Sequence, residues 1–309
     1  MLLNSTMPDV YTPVYDRLLV ERYDQTEQKF DKLFYVDTDD SKQVDSSSIS
    51  GQGIWELIQQ GNPITEEDPV QMYNQSYVHD KYGIALKLSQ EALDDDEYGV
   101  LKQTENEAGM GGEGAAMRVE TVCSDILNNA TSTNGADGVP IQDHQHPKNP
   151  NESTTYYDNE LTGADSALDH DAIEDMEILR AANLKNPKGN FIPVPANGYL
   201  VVPPALEGTA DRMVSERATK RPGELINDIN RYAGKYEPMM WQYLLNGSTT
   251  AWWIIYPSMR GMRFYWRRKP SFDSYWDPTT ESIVFNGKMR ISVGWEGWGY
   301  RAIWGSVGS

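Results

Sequence analysis

An α+β fold is predicted by three observations. Helix-like and strand-like stretches follow one another in irregular order, and no βα unit or internal repeat recurs. Strand signals also return late in the chain, where they could pair beside a long helix centred near residue 110. A discontinuous domain is therefore expected.

Composition narrows the function classes. The 309 residues suffice for one large domain or two ordinary ones. With 39% apolar and 24% charged residues the chain reads as globular, and its apolar runs are far too short to span a bilayer, so no membrane partner is expected. The start, MLLNSTMPDVYTPVYDRL, lacks the basic segment and long apolar run of a secretory signal, which favours residence in a cytosol. A net charge of −19 repels polyanions and leaves room only for loose contact with nucleic acid. The single cysteine, Cys123, cannot form an internal disulfide and reads as a buried small hydrophobe.

Residues 1–45 are polar with sparse apolar anchors at Val14, Leu18, Leu19, Phe30, Leu33, Phe34 and Tyr35, the pattern of an arm lying across something else. From 46 to 80 a serine run and strand-like pieces broken by Gly51, Gly53, Gly61, Pro63 and Pro69 suggest a long two-stranded excursion. Asp94 and Glu97 have capping-box spacing, and Leu101, Thr104, Ala108, Gly111, Ala115, Val119, Val122 and Ile126 recur at helical spacing behind them. Inside that helix lies GMGGEG, and each interior glycine costs about 1 kcal/mol against alanine. Either the helix breaks there or the glycines admit a neighbouring backbone.

An Asn-, Gly- and Pro-rich connection runs from 128 to 159. Thr162 and Asp165 again have capping-box spacing, ahead of a stripe of Leu168, Ala172, Met176 and Leu179. Tyr199 to Val202 reads as a buried strand turning at Pro203 and Pro204 into a short helix. In SIVFNGKMRISVGW, Asn286 and Gly287 are expected to form a hairpin turn. The last third concentrates aromatic residues in AWWIIYPS (251–258), RGMRFYWRRKP (260–270), SYWDP (274–278) and VGWEGWGYRAIWGS (293–306). So much flat apolar surface suggests completion by other copies.

Taken in order, the polar arm, the two-stranded loop, LSQEALDDDEYGVL, DGVPIQDHQHP, PANGYLVVPPALEGTADRM, AWWIIYPS and a closing W-x-x-W-G-x-x-x-R resemble the major capsid proteins of tailed bacteriophages. The likeness is strongest to the branch that includes the Mu-like major head subunit and covers about 75–309. It implies the Hong Kong 97 phage-type capsid fold. On that resemblance, 1–45 is the N-terminal arm, 46–80 the extended loop, 81–135 with 278–309 a peripheral domain on a spine helix, and 136–277 an axial domain. The implied function is self-assembly through hexamers and pentamers into an icosahedral head around double-stranded DNA. Assembly would occur in the host cytoplasm, with a scaffold, a portal and a possible cement protein as partners. The residues expected at subunit contacts are Ile54, Trp55, Leu57 and Ile58 of the loop, with Arg263, Tyr265 and Arg267. Some relatives cross-link a loop lysine to an asparagine of another subunit, but 46–80 contains no lysine, so noncovalent stability is expected here.

No catalytic, cofactor or metal site is expected. Asp143-His144-Gln145-His146 carries two possible ligands but no third at metal-site spacing, and His170 lies far along the chain. The acidic run 94–97 suits a helix N-terminus, and the glycines at 109–114 lack the Lys-Ser/Thr of a phosphate loop. Arg260, Arg263, Arg267, Arg268 and Lys269 interleave with Phe264, Tyr265 and Trp266; strand alternation puts Arg263, Tyr265 and Arg267 on one face. An interface with another subunit is favoured over a nucleic-acid platform. Two rival classes remain: a carbohydrate-binding module or glycosidase built on the 9 tryptophans and 18 tyrosines, and another self-assembling part such as a tail tube.

Overall fold

The computed structural model describes residues 7–50, 53–55, 57–64, 66, 68–89, 91, 100–163, 166–214 and 230–308. The capping box read at Asp94 and Glu97, with its acidic run, lies outside them. Two helices, α1 (Met7–Gln25) and α2 (Phe30–Leu33), precede β1 (Tyr35–Thr38), β2 (Gln43–Ile49), β3 (Gln71–Val78) and β4 (Asp80–Ser89). The long helix α3 (Val100–Asn128) follows, then the hairpin β5 (His146–Asn149) and β6 (Glu152–Tyr157), and α4 (His170–Asn183). The remainder comprises β7 (Gly198–Val202), α5 (Glu207–Val214), β8 (Tyr236–Met240), β9 (Trp252–Ile255), β10 (Met262–Asp277), β11 (Ser282–Trp295) and β12 (Ile303–Ser306).

Helix α3 runs unbroken through the glycine run. A β-carbon at Gly112 would collide with the carbonyl of Leu19, and one at Gly109 would press on the Arg22 side chain at 3.2 Å. The glycines therefore admit the backbone of α1, and their propensity cost is offset by close helix contact. The arm thus lies across the long helix of its own chain, with an Arg22–Glu113 ion pair of 3.6 Å at the rim. Glu120, buried on α3, accepts hydrogen bonds from the Lys29 and Phe30 amides at 2.6 and 3.1 Å and from the Trp241 indole. It supplies the acceptor that the first turn of α2 lacks, and burial raises its carboxyl above the ordinary value.

One sheet has the order β1-β10-β11-β4 and another β12-β9-β7-β8. These memberships cut across the boundary read at 277/278. Strand β10 pairs along its length with β11, while β12 returns to pair with β9. In the second sheet the pleat divides side chains between two cores. Leu200, Val202, Trp252 and Ile254 face α4 and α5, whereas Val201, Trp253 and Ile255 join Val119, Cys123 and Leu127 of α3. Met262, Phe264, Trp266, Met289 and Ile291 bring the first sheet to that same α3 core, so the long helix is where both sheets meet.

Three expectations are corrected here. Asn286 and Gly287 form no turn, because they sit in the middle of β11, paired with Asp273 and Phe272 on one side and Ala85 and Ile84 on the other. Inward positions Ile283, Phe285, Met289 and Ile291 keep one parity across Gly287, which identifies a continuous central strand. The reversal lies at Asp277–Ser282, where Asp277 accepts from the Thr279 amide at 3.0 Å and Glu281 has φ of 43°. Helix α4 is capped by Asp169, which accepts from the Ala172 amide at 2.7 Å, rather than by Thr162. Finally, most of the C-terminal aromatics are buried within one chain, although Tyr275 stays exposed and Trp276, Trp295 and Trp298 are half-buried. Trp252, Trp253 and Trp304 are enclosed, and their indole N–H groups donate to Ser166, Gln142 and Arg301 respectively.

Candidate assembly surface

Among the described residues, the most exposed large apolar side chains lie at the end of a ribbon. Strands β2 and β3 pair antiparallel from Gln43↔Val78 to Ile49↔Gln71, separate from both larger sheets. A final pair of contacts, Ser50 N to Val70 O at 2.8 Å and Val70 N to Ser50 Oγ at 2.9 Å, closes the ribbon before the tip. Beyond it Ile54 is 72% exposed, Trp55 91%, Leu57 94% and Ile64 75%, with Ile58 also exposed. Single exposed apolar residues are ordinary; here several lie together beyond the paired end of the ribbon.

The root of this ribbon is held by the first sheet and the C-terminal turn. Buried Glu296 accepts from Ser46 Oγ with both carboxylate oxygens at 2.9 and 2.8 Å, and from Arg263 Nε at 3.0 Å. The Arg263 guanidinium also lies over the Tyr35 ring at 4.8 Å. Tyr77 of β3 packs on Tyr265 with ring centroids 5.2 Å apart, and burial pushes its phenol up. Glycines make this close seating possible: a β-carbon at Gly294 would meet the Tyr77 ring at 2.8 Å, and one at Gly297 the Tyr73 β-carbon at 2.8 Å. At the junction with β4, His79 is buried, its imidazole kept less basic by burial and by Arg267, and its carbonyl accepts from Arg290 at 3.4 Å.

Strand alternation in β10 is as read from the sequence. Met262, Phe264 and Trp266 enter the core, while Arg263 and Tyr265 face the ribbon root, and half-buried Arg267 lies among Asp39 and His79. These three therefore gather at one end of the ribbon and Ile54, Trp55, Leu57 and Ile58 at the other. Glu296 was missed by sequence reading. The only available signal was a carboxylate set between tryptophans and glycines in VGWEGWG, where solvent exposure is hard to arrange.

The histidine segment divides instead of converging. His144 faces Asp158 at 3.1 Å and Glu160 at 3.3 Å, whereas buried His146 pairs with Asp137 at 2.8 Å and stacks on Tyr300 at 4.1 Å. Asn159, also buried, donates to the carbonyls of Ile141, Tyr300 and Ile303 at 2.8, 3.1 and 2.9 Å, fastening the same segment to the C-terminal turn. No group of three or more His, Cys, Asp or Glu residues able to hold a metal ion occurs among the described residues. No described helix is long and apolar enough to cross a membrane.

Comparison with known proteins places this architecture. Residues 73–305 match the family described as phage capsid protein. No curated protein matches the chain. Among solved structures, the capsid of the cyanophage P-SCSP1u is similar with a TM-score of 0.58 at 11% identity, over 91% of this chain and 88% of that one. The mature capsid of bacteriophage PhiM1 gives 0.57 at 11% identity, covering 91% and 87% respectively. A virus-like particle from Pyrococcus furiosus gives 0.51 at 12% identity over 96% of this chain and 99% of that one. The chain belongs to the phage capsid protein family, and it is a shell-forming major capsid subunit with the Hong Kong 97 phage-type capsid fold.

Proposed function

We propose that the subunit closes an icosahedral phage head through hexamers and pentamers, using the ribbon 46–80 to reach neighbouring copies while β7–β9 and α4 to α5 serve an axial region. The carrying observation is the exposure of Ile54, Trp55, Leu57 and Ile58 on a ribbon whose root is fixed. A patch on one copy that docks to a different patch on the next generates rings and shells instead of a dimer. Burying four such side chains contributes roughly 6–10 kcal/mol per contact before ordering costs. Arg263, Tyr265 and Arg267 serve assembly in this reading by aiming the ribbon from its root.

The role is structural and not enzymatic. Partners of the shell would include a scaffold and a portal, with a cement protein where noncovalent contacts need reinforcement, and assembly would take place in the host cytoplasm. The packaged double-stranded DNA would be contacted only loosely, because a net charge of −19 repels a polyanion. Deleting residues 46–80 and viewing the product by negative-stain electron microscopy tests the reading. Monomers or small rings are expected, and intact shells would overturn it. Without a lysine in 46–80, boiled and denatured particles should run as one band near 34.9 kDa.

A further inference from the structure

The seam between the ribbon root and the outer face of the first sheet gathers polar groups that the chain itself does not answer. Tyr77 packs on Tyr265, the cross-strand partner of Ser292, and two residues on, His79 accepts at its carbonyl from Arg290 Nη2 at 3.4 Å, with Arg267 close by. Both ring nitrogens of His79, Arg290 Nε and Ser292 Oγ are buried with no hydrogen-bond partner among the described residues. His79 is only 4% exposed, so bulk water does not satisfy its ring. We propose that this seam binds one small oxyanion, of the class of inorganic phosphate, between His79, Arg267 and Arg290, and that the bound ion pins the ribbon to the sheet. The site lies within a single subunit and stands independently of the shell-forming reading above.

The chemistry of the unanswered atoms selects the ligand. Arg290 Nε can only donate, the Ser292 hydroxyl can donate, and a neutral imidazole carries one N–H, so the partner must present several acceptors. An oxyanion does, whereas a metal cation would meet two guanidinium groups. Burial and then Arg267 keep His79 less basic than usual, leaving its second ring nitrogen as an acceptor. Monohydrogen phosphate answers both, accepting from the ring N–H and donating its own O–H to the other nitrogen. Charge agrees with this choice. Arg267 is half-buried and forms no hydrogen bond or ion pair among the described residues. Asp39, whose charge reaches both His79 and Arg267, is already held by the Ser41 amide and hydroxyl, which keep its carboxyl below the ordinary value. Elsewhere on this face Glu296 is matched by Arg263, Asp37 adjoins Tyr265, and Lys81 is the register partner of Arg290. Arg267, Arg290 and Lys81 therefore stand against Asp37 and Asp39, and a positive charge is left over for the ion. Because His79 ends the ribbon and both arginines belong to the sheet, the ion bridges the two bodies where β3 turns into β4.

Phosphate binding to the full-length subunit, measured by equilibrium dialysis with chloride at matched ionic strength as the control, tests the site. Saturation at one phosphate per subunit is expected, and the denaturation midpoint should rise with phosphate because only the folded chain brings these donors together. Arg267→Gln removes a charge without removing a hydrogen bond of the protomer, so its circular dichroism should be unchanged while phosphate affinity falls about tenfold. Arg267→Lys should recover part of that loss, and Arg290→Gln should weaken binding further. Hydrogen exchange of the Gln71–Val78 amides should slow when phosphate is added to the unaltered chain but not to Arg267→Gln, with the Trp252–Ile255 amides unaffected in both. A chain that takes up no phosphate, or takes it up equally well in both Gln variants, would overturn the site. Saturable binding that leaves Gln71–Val78 exchange unchanged would overturn the pin.

Discussion

The tryptophan-rich strands of the second sheet and the tip of the β2–β3 ribbon have similar local chemistry and opposite fates. In WWII of β9 every side chain is buried, because β7 and β12 flank it and a core lies on each face. In the tip, Trp55 is almost wholly exposed, because the ribbon has two strands and belongs to neither larger sheet. Apolar residues in extended segments therefore do not by themselves identify surface that another copy must cover. What decides is whether the strand has neighbours on its edges and layers on its faces within the chain.

That contrast can be broken by mutation, beginning with the largest effect on the protomer. Trp253→Ala removes an indole that fills the α3 core and donates to Gln142 Oε1 at 2.7 Å. It should cost about 3–5 kcal/mol and show as a large loss in chemical denaturation of the unassembled subunit. Glu296→Ala leaves Arg263 and Ser46 without their shared acceptor, so about 3 kcal/mol should be lost. Hydrogen exchange of the Gln71–Val78 amides should speed up before that of β9, since the lesion lies at the ribbon root. Gly112→Leu drives a side chain into the Leu19 carbonyl; about 1–3 kcal/mol of overpacking is partly offset by about 1 kcal/mol of helix propensity. Protease digestion should then release α1 while α3 stays protected.

Legibility followed the same physics. Alternation in 262–266 was readable because a strand's pleat depends only on its own sequence, and the core membership of Met262, Phe264 and Trp266 bears this out. The meaning of the glycines in α3 was not, because it depends on Leu19, about ninety positions earlier, approaching Gly112. Asn286-Gly287 carries a strong local turn signal, yet β4 and β10 on both sides keep it extended. Glu296 was invisible for a related reason: its partners Ser46 and Arg263 lie 250 and 33 positions away. The order of segments carried the fold family, whereas the contacts at the ribbon root required the folded chain.

The most direct measurement replaces Ile54, Trp55, Leu57 and Ile58 together by serine in the full-length chain and compares folding with assembly. Exposed side chains contribute within about 0.5 kcal/mol to the protomer, so its denaturation midpoint should be unchanged while sedimentation and electron microscopy find no closed shells. Shells of normal size and yield from that variant would contradict the account, because they would show that the tip's apolar surface has no part in joining copies.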